Sequence, residues 1–371
     1  MDAFVEAALA DAADQIEFFG IEEMPTAFIG GGTPSVLGAR RMERLLSGLA
    51  RLFAGLKSGP RELSVEANPE SATPDFLRAC LDGGVTRISL GAQSFDEKAR
   101  KAVGRIGDPR LLSQRLESVA RAFPGAFSAD LISGLPFQSA EALAADIARL
   151  LDFGPAHVSM YGLTIDPETP LGRRELALGS AAIGLPGDEE ADDMWIAGRD
   201  LLESSGLSQY EVSNFARPGS ECLHNMRYWR MESWIGAGPS ASGTVIPAGL
   251  GAGAIRRVYP QDIPAYLAAP RPALRIAAVE ELSPEALMRE SLLMGFRVTA
   301  GPDEALFAAR FGRAIESLIP CAIALWRGRG FFAGDGIAPS KAGLLFTNAF
   351  LRDAFAELDC IRRVHTPPFR A

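Results

Sequence analysis

Between Thr26 and Tyr161 the sequence repeats one unit five times: a short apolar run rich in β-formers, a Gly, Pro or polar turn, then a helix-like stretch. The runs are Thr26–Ile29, Glu62–Glu66, Arg87–Leu90, Ser128–Ile132 and His157–Tyr161. This rhythm is the signature of βα units around a parallel sheet. Strands buried on both faces read as near-continuous apolar runs, and such sheets bind ligands in the loops at their C-terminal ends. An α/β fold is therefore expected, with function carried by the turns that follow the strands.

Beyond this region the pattern changes. Asp188 to Leu207 reads as one amphipathic helix, the segment to about Val258 is loop-rich, and from Ser283 several short helices precede the tail GRGFFAGDGIAPSKAGLLFTNAF. The formal net charge of −9 offers no broad positive field for a phosphate backbone, which argues against general nucleic-acid binding. No run of eighteen apolar residues occurs and the start is acidic, so neither a transmembrane segment nor a signal peptide is expected and the cytoplasm is the expected compartment. Cys80, Cys222, Cys321 and Cys360 lie dozens of residues apart, without the spacing of a zinc site, an iron–sulfur site or a redox pair.

Several strand ends carry motifs. FIGGGTPS at Phe28–Ser35 sets three glycines directly after a strand, where backbone N–H groups can approach a ligand. In order there follow VEANP (Val65–Pro69), RISLGAQSF (Arg87–Phe95), VGR (Val103–Arg105), DLISGLPFQ (Asp130–Gln138), HVSMYGLTIDPETPLG (His157–Gly172), YEVSNFARPG (Tyr210–Gly219) and HNMRYW (His224–Trp229). From residue chemistry alone, Glu66 and Asp130 serve equally as strand-end carboxylates that cap a helix or pair with Arg. His224, by the same measure, also reads as a core histidine satisfied by a hydrogen bond.

Taken together and in this order, the motifs resemble the oxygen-independent coproporphyrinogen III oxidase-like radical S-adenosylmethionine (SAM) family, from about Asp2 to about Asn348. HNMRYW points to its haem-chaperone branch, of which an HNxxYW segment is a mark. The resemblance implies a TIM-type (βα)6 barrel, here partial and lacking its first strand, over residues 1–215. A loop-rich connecting segment carrying HNMRYW would span 216–280, and a small helical, winged-helix-like domain 281–371. It implies that Gly31, Gly32 and Thr33 hold the SAM amino group through backbone atoms and that Glu66 lies near the ribose. Gln93 and Arg105 would contact SAM, and Asp130 would stand as the acid at the end of the fifth barrel strand. Such roles suit the groups: a carboxylate accepts from ribose hydroxyls and an Arg fork pairs with a carboxylate. His224, one of three histidines, would be an axial ligand of haem iron, with Tyr228 and Trp229 offering flat faces to a porphyrin.

The chain also departs from the family. A radical SAM enzyme holds its [4Fe–4S] cluster on CxxxCxxC after the first barrel strand, and these 371 residues contain no such motif. In the family that strand precedes a helix which MDAFVEAALADAADQIEFF resembles, Phe4, Ala8, Ala12, Ile16 and Phe19 keeping helical spacing. Two accounts stand: coding sequence upstream of Met1 supplies roughly 30–40 further residues, enough for a strand and a cluster loop, or the lineage has replaced the strand with other contacts. Gly107 stands where the family's GRxH has His, and Ser242 where GxGPxAHS has His.

The resulting expectation is a haem-handling protein of porphyrin metabolism that binds SAM and haem, passes haem to accepting proteins, and as written cannot cleave SAM. The alternatives are an oxygen-independent coproporphyrinogen III dehydrogenase and a cluster-free scaffold or regulatory paralogue.

Overall fold

The computed structural model describes residues 1–105 and 108–365, which form two compact units. The first comprises residues 1–6, 22–209 and 213–222, the second 7–21, 210–212 and 223–371.

The first unit is a seven-stranded sheet. Its strands are β1 (Thr26–Ile29), β2 (Glu62–Ala67), β3 (Arg87–Gln93), β4 (Phe127–Ser133), β5 (His157–Gly162), β6 (Ser208–Gln209) and β7 (Asn214–Ala216), in the order β1-β2-β3-β4-β5-β7-β6. β1 to β5 run parallel in sequence order, and β7 joins β5 antiparallel. The five runs expected from sequence are all strands, each with the same start or one residue earlier. The two short antiparallel strands were not foreseen.

Helices Gly38–Ala54, Pro74–Asp82, Pro109–Ala122, Ala140–Leu151 and Asp188–Ser204 stand between the strands. Their starts are fixed locally. Thr73, Asp108 and Ser139 accept backbone N–H groups of the first turn, and Pro74 and Pro109 occupy the position where no N–H is needed. Leu63, Val65, Ile88, Leu90, Ala129, Leu131, Val158 and Met160 are buried on one face of the sheet. The residues between them are polar, and they make the other face.

The second unit has a three-stranded antiparallel sheet of β8 (Ser242–Val245), β9 (Ala254–Val258) and β10 (Ala278–Leu282). β8 and β9 lie within the stretch read as loop-rich. Helices Pro284–Gly295, Glu304–Phe311, Pro320–Gly328 and Thr347–His365 follow. They surround a core that includes Phe296, Trp326, Phe331, Phe332 and Phe350. A single bridge between Phe332 and Pro339 is all the wing this region shows among the described residues.

Helix Asp2–Phe18 forms as its spacing predicts. Its most deeply buried side chains, however, include two polar ones, Asp11 and Gln15. Arg275 Nη1 and the Tyr266 hydroxyl donate to the Asp11 carboxylate, and Gln15 Nε2 donates to Tyr259 Oη at 2.9 Å. No helix of the described residues is long and apolar enough to cross a membrane.

Candidate functional site

Side chains alternate across a strand with period two, and in β2 to β5 one set is polar. It consists of Glu62, Ser64 and Glu66 on β2, Arg87, Ser89 and Gln93 on β3, Ser128 and Asp130 on β4, and His157, Ser159 and Tyr161 on β5, with Gly91 and Ile132 as its two exceptions. The register sets Glu66 beside Ser89, Gly91 beside Asp130, and Asp130 beside Ser159.

At the N-terminal end of these strands the row is closed. Arg87 pairs with Glu62 at 3.2 Å and donates through Nη2 to the carbonyls of Ser220 and Glu221 at 2.9 and 3.0 Å. Cys222 Sγ reaches Glu62 Oε1 at 3.4 Å, and Ser128 Oγ shares a hydrogen with His157 Nδ1 at 2.7 Å. Burial, aided by the Arg87 charge, holds the His157 imidazole down at about 3, so it is neutral at ordinary pH.

Toward the C-terminal end stand Glu66 and Asp130. Burial pushes Asp130 up to about 6, against hydrogen bonds from the Ser159 and Ser89 hydroxyls, the latter at 3.0 Å to Oδ1. Glu66 is also raised, first by burial and then by the charge of Asp130, while the Gly31 N–H, donating to its Oε2 at 3.1 Å, works the other way. The two acids thus feel each other, and the glycine turn after β1 is tied to one of them.

Gly30 explains how the turn comes so near. A Cβ there would stand 2.3 Å from the Phe28 ring and 2.8 Å from Glu66 Cδ, so only glycine fits. Gly31 has φ +82°, and a Cβ on it or on Gly32 would meet open space. Gly31, Gly32 and Thr33 are exposed, leaving the turn accessible. Ser35 Oγ accepts from the Asn68 N–H at 3.0 Å and bonds Ser71 Oγ at 2.6 Å, fastening this turn to the loop after β2.

Arg105 joins the same loop. Oriented with its amide nitrogen toward Glu70, Asn68 accepts from Arg105 Nη1 at 2.7 Å. Gln93 ends β3 at φ +65°, where the register slips between Gly91 and Gln93 and the Gln93 amide folds back over the space a Gly91 side chain would take. Sequence reasoning missed Gly30, Asn68, Ser35, Ser89 and Ser159. Period-two alternation of polar residues was the available signal for the serines.

In the second unit HNMRYW lies on helix Leu223–Trp229. His224 and Tyr228, one turn apart, meet edge-on with ring centroids 5.0 Å apart, and Tyr228 packs against Trp234 at 4.8 Å. Burial raises the Tyr228 hydroxyl, so it stays protonated. His224 and Trp229 are both half-buried. Ser242 opens β8, where its carbonyl accepts from Trp234 Nε1 at 3.1 Å. Gly107 lies outside the described residues.

Known proteins share this mostly parallel sheet and much of this sequence. The sequence profile of the Radical SAM superfamily matches residues 4–150. The solved structure of coproporphyrinogen III oxidase (HemN) from Escherichia coli superposes with a TM-score of 0.74 at 18% identity, covering 95% of this chain and 82% of that one, a likeness of fold. "Heme chaperone HemW" of Lactococcus lactis is 32% identical over 318 residues, 86% of this chain and 79% of the relative. The E. coli protein of the same name is 37% identical over 245 residues, 66% of this chain, and the match spans only 62% of that relative's length. The chain belongs to the HemW family of radical SAM proteins.

The residues present fit SAM, since the exposed glycine turn offers backbone groups and Glu66 and Asp130 offer acceptors for hydroxyls. Among the described residues no ligand set for an iron–sulfur cluster stands together. Cys80 and Cys222 are buried apart from each other in sequence, burial pushes the Cys80 thiol up to about 12, and no group of three His, Cys, Asp or Glu among the described residues could hold a metal.

Proposed function

We propose that this chain handles haem in the manner its relatives' name describes and also seats SAM. The observation that carries the haem reading is His224, half-buried on a helix with Tyr228 edge-on to it, in a chain 32% identical over 318 residues to a protein named a heme chaperone. A neutral imidazole nitrogen ligates haem iron, and aromatic neighbours give the porphyrin an apolar face. Haem-accepting proteins would be the partners. The reading as a coproporphyrinogen III dehydrogenase draws only on likeness of fold.

SAM would lie across the turn Gly31–Thr33. Glu66 and Asp130 would accept from its hydroxyls, Gln93 would contact it, and Arg105 would pair with its carboxylate. SAM bound at a reduced cluster would supply a 5′-deoxyadenosyl radical. What this chain's residues do is bind and orient: Ser89 and Ser159 hold Asp130, and the Gly31 N–H holds Glu66.

Optical titration with haemin tests the first half. Wild type should develop a shifted Soret band that His224→Ala loses; an unchanged shift in the variant removes His224 from the role. Calorimetry tests the second: SAM should release heat with wild type and much less with Glu66→Gln or Arg105→Ala. Equal heats in all three would show that SAM does not use this pocket.

A further inference from the structure

β3 ends in a turn held against its own preference. Gln93 keeps φ +65°, a left-handed conformation that residues with a Cβ seldom adopt and that persists only where surroundings enforce it. Two buried charges reach this turn from different directions. From the short helix Glu97–Ala102, Arg100 donates through Nη1 to the carbonyls of Ala92 at 2.8 Å and Ser94 at 3.1 Å, the residues on either side of Gln93. From helix Ala140–Leu151, the Asp146 carboxylate accepts from the Phe95 N–H at 2.8 Å and from the Ser94 hydroxyl.

Both side chains are almost wholly out of water, Arg100 at 3% exposure and Asp146 at 3%. Burial accordingly lowers the Arg100 guanidinium and raises the Asp146 carboxyl from their ordinary values. A charge kept from water is costly unless hydrogen bonds offset the loss, so the groups these two touch are informative. Arg100 has only a distant ion pair, with Glu70 at 3.7 Å, and its Nη1 bonds both go to the turn Ala92–Phe95. Asp146 serves the same turn and also accepts from the Gln138 amide, whose oxygen in turn accepts from the N–H groups of Gly134 and Leu135, at 2.9 and 3.2 Å, just after β4. One carboxylate thereby links the turns that follow Gln93 and Asp130.

What the first of these turns places is the Gln93 amide. It folds back over Gly91, where a Cβ would stand 2.8 Å from Nε2, and Gly91 lies beside Asp130 in the register. We propose that Arg100 and Asp146 are positioning residues for SAM: together they fix the Ala92–Phe95 turn so that the Gln93 amide stands over Gly91, beside Asp130, before the ligand arrives. The inference rests on the SAM reading of the polar row. An amide already in place loses less freedom on binding than one that the ligand must order.

Calorimetry with SAM on the full chain, arranged as a double-mutant cycle, tests the proposal. Gln93→Ala should lower SAM affinity about three- to tenfold, the range for one hydrogen bond. Arg100→Met and Asp146→Ala should each lower it by a similar factor when Gln93 is present, and by less than about twofold when residue 93 is already alanine. A purely structural role would weaken SAM by the same factor in both backgrounds; that result overturns the proposal, as does wild-type affinity in both charge variants. Gly91→Ala, whose Cβ displaces the Gln93 amide and leaves both charges alone, should reproduce the loss and its dependence on Gln93, and wild-type affinity there also overturns the proposal. Should the charge variants lose their cooperative thermal transition, Ser94→Ala decides, because it deletes one hydroxyl bond to Asp146 and keeps both charges. Its loss of affinity should appear with Gln93 and vanish without it; no loss, or the same loss in both backgrounds, overturns the assignment. Unchanged affinity in Gln93→Ala overturns the proposal and leaves the SAM reading to Glu66 and Arg105. Failure of wild type to bind SAM overturns both.

Discussion

Along the inner row of the seven-stranded sheet an arginine 13% exposed pairs with a glutamate 7% exposed, whereas the main core of the second unit is a stack of aromatic rings. Phe331 and Phe350 stack at 4.6 Å there, and Trp326 meets both edge-on. The sheet keeps charges out of water by satisfying them with one another, through Glu62, Arg87, Ser128 and His157. The second unit buries an ion pair at Arg275 and Asp11, while its pair at Arg256 and Glu290 remains 20% and 28% exposed. The contrast teaches where each kind of chemistry sits. The buried polar row of the sheet holds the acids of raised pKa, Glu66 and Asp130, while the rings of the second unit's core bury apolar surface against one another.

The largest expected effect tests that contrast through the two ion pairs. Arg87→Met removes the charge that balances the buried Glu62 and should lower stability by about 3–5 kcal/mol, the usual cost of breaking a buried pair from one side. Arg256→Met removes a pair that water already reaches, and about 1 kcal/mol or less is expected. Urea denaturation of both variants provides the comparison. Similar losses would mean that the burial difference carries no energetic weight.

Acid should separate the sheet's own residues. His157 is depressed to about 3 from an ordinary 6.5, so its contribution is full above pH 6.5 and drains away as pH falls toward 3. Asp130 is raised to about 6 from 3.8, so its contribution is full below pH 3.8 and is lost as pH rises through 6. The two oppose each other between pH 6 and 4. His157→Gln should flatten the decline of stability with acid, and Asp130→Asn should steepen it. At pH 7 Asp130→Asn should also stabilise, by at most about 3 kcal/mol for a shift of this size, at the cost of SAM binding. A variant at Asp130 that is no more stable at pH 7 than wild type would show the carboxylate to be relaxed by its two serines.

Much of this was legible in the sequence, and the failures have physical reasons. The five parallel strands announce themselves because each joins β-formers to a turn and a helix, and Glu66 and Asp130 are conspicuous as acids inside such runs. Reading those runs as near-continuously apolar was wrong: RISLGAQ alternates, with Ile88, Leu90 and Ala92 buried on one face and Arg87, Ser89, Gly91 and Gln93 on the other. Serines such as Ser89 and Ser159 carry no mark of their own, and only the register sets them around Asp130. β6 and β7 span two and three residues, too few for any periodicity to register. β8 and β9 were hidden by the glycines between them and by Arg256 and Arg257, which make a strand look like a solvated turn. Gly30 looked like its two neighbours, yet it alone of the three is required by close approach.

The smallest expected effect gives the finest discrimination between the units. Gly31 in the turn after β1 and Gly312 after helix Glu304–Phe311 both hold left-handed backbone, at φ +82° and +67°. An alanine at either position meets the same steric penalty, about 1–2 kcal/mol, because its Cβ crowds the following carbonyl. Gly312→Ala would also press on Leu250 at 3.2 Å, a flexible side chain that can yield, while Gly31→Ala projects into open space. Thermal denaturation should therefore rank the two as near equals. SAM binding should not. Gly31→Ala alters the turn whose N–H holds Glu66, so its SAM heat should fall by more than its stability loss explains, whereas Gly312→Ala should bind SAM as wild type does. If both alanines weaken SAM to the same degree, the effect is general destabilisation and the glycine turn has no special claim to the ligand.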